Sequence, residues 1–358
     1  MNLGRTNTKI LSISKTELIK VNSKRPEKSK IRKAAIIIRN GGLVAFPTET
    51  VYGLGANALD PKAVKKIFSA KGRPADNPLI IHISDIEDIF RLALNVPLIA
   101  KKIIQKYWPG PLTIILKKSK LVPYITTGGL ETVAIRMPSH KIALSLIENS
   151  STPIAAPSAN LFGKPSPTLA EHVLEDLDGK IDLLIDGGKT DIGLESTVID
   201  LTSKHPMLLR PGRISSKELC SFGQIHLHPT LKGKKTKNLI HKSPGMKYRH
   251  YSPNAKVILV KGPSKRCVQK ISSLIKKYHK EQKRVGVITT NKKTRYKSDM
   301  TQFIGQDNDT IARNLFDSFR KFDKNGADVI IVKEIKDIEL GFAIMNRLKK
   351  AAHQTIKT

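Results

Sequence analysis

Two series of short apolar runs, separated by helix-length amphipathic stretches, limit the folds open to this chain. Between residues 41 and 220 the runs are LVAF, LIIHI, LTIIL, TVAIRM, PIAA, IDLLI and STVIDL. Each is rich in Val, Ile, Leu or Thr, and such runs read as strands. Helical patterns fall near Pro61–Ala70, Pro97–Tyr107, Ile142–Glu148 and Leu169–Leu177, after an amphipathic IRKAAIIIRN (Ile31 to Asn40) stopped by Gly41-Gly42. Past residue 254, AKVILV, VGVITT and ADVIIV alternate with helices near Lys265–Glu281, Thr310–Lys324 and Leu340–Ala352. Strands that are apolar throughout and separated by helices predict a parallel, doubly wound sheet. The expected class is α/β: a basic tail at 1–28, a large-sheet domain at 29–220, a polar linker at 221–254 and a small doubly wound domain at 255–358. At 358 residues the chain is long enough for two cored domains.

The net charge of +33 is unevenly placed. Residues 1–40 hold 11 Lys and Arg against 2 Asp and Glu (+9), residues 41–220 hold 21 against 18 (+3), and residues 221–358 hold 31 against 10 (+21). A field of that size attracts polyanions in a salt-dependent way, so weak contact with RNA is one expectation. Runs such as LKGKKTKN (Leu231 to Asn238) lack the aromatic interleaving of a stacking platform, and a solvated Lys-rich surface also accounts for them. Cys220 and Cys267 form no metal-ligand pattern and fit a reducing compartment. No apolar run approaches the ~18 residues of a spanning helix, so no membrane partner is expected. The start, MNLGRTNTKILSISK, is basic without a secretory apolar core. The expected location is the cytoplasm.

PTETVYGLGANA (Pro47 to Ala58), followed closely by Lys71-Gly72-Arg73-Pro74, concentrates chemistry in one segment. Hydroxyls, an Asn amide, a glycine-permissive turn and two fixed cations suit an anionic, phosphate-bearing ligand beside a small polar one. Two familiar phosphate loops fail here. Gly53-Leu54-Gly55-Ala56-Asn57-Ala58 matches GxGxxA, but PTETVY separates it from the strand that the dinucleotide fingerprint needs immediately before. Gly188-Lys189-Thr190 has the ending of a Walker A loop, whose first Gly would stand where the chain has Leu183. A nucleotide must be held some other way.

The segment 41–220 resembles the threonylcarbamoyl-AMP synthase family, built on the YrdC-like fold. The resemblance runs through PTETVYGLGANA, the KxR of Lys71 and Arg73, NPLIIHI, WPGPLTIIL, TVAIRMPSH and PIAAPSAN with Ser158 and Asn160. It continues through GKPSPT, IDGG, GLESTVIDL and LRPG. SPGMKYRHYSP (Ser243 to Pro253) is similar to the linker of the two-domain members, and GFAIMNRLKKAA (Gly341 to Ala352) to the closing helix of their Rossmann-like second domain. The implied fold is a YrdC-like twisted-sheet catalytic domain, a linker and a small doubly wound Rossmann-like domain.

The resemblance implies a nucleotidyltransferase that makes threonylcarbamoyl-adenylate and pyrophosphate from L-threonine, bicarbonate or CO2, and ATP. Its implied onward partner is the tRNA threonylcarbamoyl-transfer machinery, which modifies adenosine beside the anticodon. Mg²⁺ would arrive with ATP and bridge phosphate oxygens, with no metal site assigned to the protein. Such a reaction needs positioning and charge neutralisation rather than a covalent nucleophile. Lys71 and Arg73 suit phosphate and carbamate oxygens, Arg as a planar fork and Lys as a point charge. Ser158 and Asn160 add neutral donors, and these four form the candidate catalytic set.

By family match, Thr50, His82, Arg136, Ala156 and Ser196 face threonine, while Arg73, Asn77, Thr132, Ser158, Ser166, Arg210 and Tyr251 face ATP. A buried mid-strand Arg136 needs an anion, and the amino-acid carboxylate is the expected one. For His82 the competing reading is a satisfied core histidine, and for Thr132 and Ser166 a backbone cap. Trp108 is expected to anchor packing. Tyr248, Arg249, His250 and Tyr251, between Pro244 and Pro253, read as a lid over the nucleotide pocket that keeps water from a labile carbamate. The second domain has no clustered acid–base pair, so support of the lid or of quaternary structure is expected from it. The alternative is a double-stranded-RNA-binding module without catalysis. It would use a concave basic face, and the +3 of residues 41–220 argues against it.

Overall fold

Strand periodicity of two sorts the side chains of this protein onto opposite sheet faces, and that sorting builds its cores and the wall of a polar cleft. The computed structural model describes residues 15–233, 242–244, 248 and 250–358. Arg249, most of LKGKKTKN and the first 14 residues lie outside them. The strands of the first domain are β1 (Glu17–Lys20), β2 (Val44–Pro47), β3 (Tyr52–Asn57), β4 (Ile80–His82), β5 (Leu112–Lys117) and β6 (Thr132–Arg136). They continue with β7 (Ile154–Ala155), β8 (Leu183–Asp186), β9 (Thr197–Asp200), β10 (Met207–Arg210) and β11 (His226–Leu227). Together they form one mixed sheet in the order β1-β8-β2-β3-β7-β4-β6-β5-β9-β10-β11.

All seven apolar runs of this domain are strands, and the helices fall where the 3.6 periodicity puts them. The helix Pro61–Lys71 is bounded by local chemistry. Asp60 caps its start by accepting from the Lys62 N–H, Pro61 fits the first turn, and Gly72 ends it in the left-handed region at φ 61°. Ile81, Ile83, Ile114, Val133 and Ile135 pack into the principal core, under the helices Pro61–Lys71 and Leu98–Tyr107. Their neighbours Ile80, Ile115, Ala134 and Val198 form a small cluster on the other face. His82, Thr113 and Arg136 share the parity of that second group, so the polar side chains of the central strands leave the core together.

The second domain carries β12 (Lys256–Lys261), β13 (Val285–Thr289), β14 (Met300–Phe303), β15 (Val329–Lys333) and β16 (Gln354–Lys357), ordered β14-β13-β15-β12-β16. Every pairing is parallel. Val257 and Leu259 pack with Leu315, Phe316 and Phe319 of the helix Asn308–Lys324 and with Ile344 and Leu348 of the helix Leu340–Ala351. Ile258 and Val260 face Ile271, Leu274 and Ile275 of the helix Ser264–Lys280. Both faces are covered, as continuous apolar strands require.

Three differences from the sequence reading have physical causes. Part of the range read as a tail, ELIK, is β1, which pairs in parallel with β8 at the sheet edge. Its four residues are mostly exposed and give too little apolar signal to be seen. Within the range read as linker, His226–Leu227 adds the other edge strand on β10. Most consequentially, the glycine-bearing YGLGAN is not a turn but β3, antiparallel to β2. A Cβ on Gly55 would stand 2.7 Å from Cε1 of Phe46 and 2.8 Å from Cγ2 of Ile154, so neighbouring side chains occupy the space that any other residue would need.

Candidate active site

His82 of β4 and Arg136 of β6, on the open face of the sheet, line a cleft of about 620 Å³ with its open mouth counted. Thr48, Thr50, Val51 and Gly53 enter from β3 and the loop before it, and Ala156, Pro157, Ser158 and Asn160 from the turn after β7. Glu195, Ser196 and Arg210 come from the β9–β10 region, and Pro244, His250 and Tyr251 close the far side. His82 and Arg136 stand directly opposite each other on β4 and β6.

Arg136 hydrogen-bonds through two of its nitrogens, and the third forms an ion pair without a well-directed hydrogen bond. It donates from Nη1 to Thr50 Oγ1 at 2.9 Å and from Nε to the Gly110 carbonyl at 3.3 Å, and Nη2 stands 2.7 Å from Glu49 Oε1. The anion beside this buried Arg is therefore Glu49, a chain carboxylate, and its burial does not by itself require a ligand. Next to it, burial and the Arg136 charge push the His82 imidazole down to about 3, so the ring is neutral across ordinary pH. Its Nδ1 lies 3.2 Å from the Ile80 carbonyl.

The other cations differ. Arg73 donates from Nη2 to the carbonyls of Asn77 (3.2 Å) and Pro78 (3.0 Å), and its buried Nε has no hydrogen-bond partner among the described residues. Arg210 donates to the Ser196 carbonyl and to Ser196 Oγ, both at 2.9 Å. Among the described residues neither has a carboxylate within ion-pair distance. Burial presses both pKa values down, and the two positive charges oppose each other. Two buried guanidiniums held by neutral oxygens on one cleft have the charge and geometry to receive an anion.

Family models cover both domains. One described as "Telomere recombination" matches residues 36–212, and one described as "Threonylcarbamoyl-AMP synthase, C-terminal domain" matches residues 214–353. A threonylcarbamoyl-AMP synthase of Pyrococcus abyssi is 55% identical over 92% of this chain and 95% of its own length. The chain belongs to the threonylcarbamoyl-AMP synthase family. A synthase of Bacillus subtilis is 50% identical over 90% of this chain and 92% of its own. The crystal structure of P. abyssi Sua5 complexed with L-threonine superposes with a TM-score of 0.91 at 54% identity, over 96% of this chain and all (100%) of that one.

Most of the residues singled out in the sequence meet on the synthase cleft: Thr50, Arg73, His82, Arg136, Ala156, Ser158, Asn160, Ser166, Ser196, Arg210 and Tyr251 all line it. Lys71, Asn77 and Thr132 do not. Lys71 is fully enclosed, and its Nζ donates to the carbonyls of Ser158 and Asn160, each at 2.5 Å. Burial and the Arg73 charge hold its pKa well below the usual lysine range. It supports the 158–160 turn from behind. Asn77 is buried beside Arg73, with its side-chain nitrogen unpartnered among the described residues. Thr132 shares the parity of Arg136 but stands four residues, about 13 Å, along the strand.

Sequence reasoning passed over Thr48, Glu49, Lys164 and Glu195. Each sits inside a motif already in view, and no local signal shows which way its side chain faces. Glu195 lines the cleft, accepts a hydrogen bond from Ser166 and pairs with Arg347 of the second domain at 2.9 Å. Burial alone would raise its pKa, but Arg347 and Arg210 outweigh this and keep it below the usual carboxylate range. Trp108 belongs to the principal core and donates from Nε1 to the Leu112 carbonyl at 2.7 Å.

Proposed function

We propose that this protein makes threonylcarbamoyl-adenylate and pyrophosphate from L-threonine, bicarbonate or CO2, and ATP, in the cytoplasm, for delivery to the tRNA threonylcarbamoyl-transfer machinery. Family membership supports the reaction, and one structural observation supports its place: the two guanidiniums of Arg73 and Arg210, unpaired with carboxylates among the described residues, on a cleft that also carries Arg136. In this reading the threonine amine adds to CO2 with loss of a proton. A carbamate oxygen then attacks the α-phosphorus, and the bond to pyrophosphate breaks. Arg73 and Arg210 neutralise phosphate oxygens beside the 158–160 turn, which Ser158 Oγ ties together by donating to Asn160 Oδ1 at 2.5 Å. The amino acid lies against Thr50, His82, Ala156 and Ser196, its carboxylate sharing Arg136 with Glu49. Neutral His82 adds no second cation there. Lys71 acts by shaping the 158–160 turn.

The cleft does not offer a resident Mg²⁺ the carboxylates it prefers. Its lining carboxylate, Glu195, is taken up by Arg347 and Ser166, and no group of three or more His, Cys, Asp or Glu among the described residues could hold a metal ion. Mg²⁺ belongs in this reading to ATP, and no step is assigned to it. No helix among the described residues is long and apolar enough to cross a membrane.

Pyrophosphate release from ATP should require both L-threonine and bicarbonate. A purified protein whose release ignores either one would refute the reading. Lys71→Ala and Arg73→Ala should each abolish it, the first by loss of the turn and the second by loss of phosphate charge. Full activity in both would move the phosphate site elsewhere.

A further inference from the structure

The second domain reaches the cleft through a buried side chain that the reaction, as read above, does not use. Arg347, on the helix Leu340–Ala351, has no exposed surface at all. Its Nε donates to Glu195 Oε2 at 2.9 Å, Nη1 to the Pro211 carbonyl at 2.8 Å and Nη2 to the Glu195 carbonyl at 3.4 Å. The other oxygen of Glu195 accepts from Ser166 Oγ. The guanidinium carbon also lies 5.5 Å from the centre of the Tyr251 ring. One side chain of the second domain therefore touches Glu195, Tyr251 and the backbone beside Arg210, and acts on Ser166 through Glu195.

A second arginine braces the same wall. Arg320, on the helix Asn308–Lys324, donates from Nη2 to the Pro165 carbonyl and to Asp176 Oδ2, both at 2.7 Å. Asp176 in turn accepts from Lys164 Nζ and from the Leu161 N–H, both at 3.2 Å. The short segment Lys164-Pro165-Ser166 is thus held at one end through Arg320 and at the other through Arg347. Lys164 and Ser166 both line the cleft.

Burying a charge this completely is costly unless every bond is made, and removing one partner strands the other. A packing contact between domains could be made by apolar side chains at no such cost. The full set of donations from Arg347 fixes the position and charge state of Glu195 to a degree that packing does not. We infer that Arg347 is a positioning residue of the synthase reaction, acting through Glu195 to hold Ser166 in register with the nucleotide. The inference rests on the functional reading above and adds to it a defined task for the second domain.

The test is a double-mutant cycle on kcat/KM for ATP, with unfolding followed in parallel. Arg347→Met should lower kcat/KM by about tenfold to a hundredfold, the range expected when a positioned group shifts by an ångström or less. The loss should be much smaller in Arg347→Lys, which keeps the charge. Ser166→Ala should remove the group being positioned, so the Arg347→Met loss should shrink or vanish in the Ser166→Ala background. A merely structural arginine predicts losses that multiply. Multiplying losses, or a folded Arg347→Met protein with wild-type kcat/KM, would overturn the inference. Should the methionine variant not fold, Arg347→Gln, which removes the charge but keeps a donor, is run through the same cycle, and multiplying losses again overturn the inference. Wild-type protein without threonine-dependent pyrophosphate release would instead refute the functional reading, which keeps the two failures apart.

Discussion

Glu49 and Arg136 form an enclosed ion pair beside the cleft, 7% and 4% exposed at the side chain. Among the described residues neither oxygen of Glu49 makes a well-directed hydrogen bond, so the carboxylate depends on Arg136 for compensation. Glu49→Gln leaves the guanidinium short of an anion, and breaking a buried pair costs about 3 kcal/mol. If the threonine carboxylate binds at Arg136, L-threonine should restore more stability to the variant than it adds to the wild type. Urea midpoints with and without L-threonine measure the difference, and equal shifts would place the amino-acid carboxylate elsewhere. His82 makes a second residue-level prediction. Its folded pKa of about 3 lies below the ordinary 6.5, so between these values the unfolded chain binds a proton that the folded one refuses. Stability is therefore lost as pH falls below 6.5, with a limiting slope of about 1.4 kcal/mol per pH unit from this group. His82→Gln should flatten the dependence by that amount between pH 5.5 and pH 4. An unchanged slope would mean that His82 is not a buried neutral group.

At the scale of elements, β3 shows where sequence reading stops. Apolar strands and amphipathic helices were legible because burial writes a period of two or 3.6 into the residue types. YGLGAN carries no such run, and its two glycines mimic a turn. Phe46 on β2 and Ile154 on β7 explain Gly55, and Ala156 and Phe46 crowd Gly53; none of the three is adjacent in sequence. Gly55→Ala should destabilise the fold by about 1–3 kcal/mol through overpacking. Phe46→Leu in the same chain should recover part of that loss, because Phe46 is the nearest obstacle. A neutral Gly55→Ala would mean that β2 and β3 can separate freely. The candidate site was legible in the same uneven way. Motif residues gathered on the cleft, but the direction of Lys71 and the pairing of Arg136 with Glu49 depend on which oxygens the fold brings near. The Glu195–Arg347 contact spans 152 positions, and nothing local announces it.

Over the whole molecule, the linker is where the two domains meet the cleft. Tyr251 lines the cleft, stacks on Phe316 of the second domain at 5.3 Å and lies under Arg347. Its backbone is left-handed, at φ 67°, a conformation that costs a bulky residue about 1–3 kcal/mol and persists only where contacts over-determine it. Nearby, the Ser252 N–H donates to the Gly163 carbonyl at 2.9 Å, and the rings of Tyr248 and His250 both pack edge-on against Phe162. The segment is thus anchored to the first domain by hydrogen bond and ring contact, and to the second by Tyr251. Such a strap can exclude water from a carbamate only if its aromatic anchor holds. Tyr251→Ala should therefore lower ATP-dependent turnover by about tenfold or more while raising the fraction of ATP hydrolysed without adenylate formation. Tyr251→Phe keeps the stack on Phe316 and should stay near wild type. Measuring pyrophosphate against threonylcarbamoyl-adenylate separates the two effects. Unchanged turnover and coupling in Tyr251→Ala would reduce the linker to a connector, and the left-handed tyrosine would then be without a function.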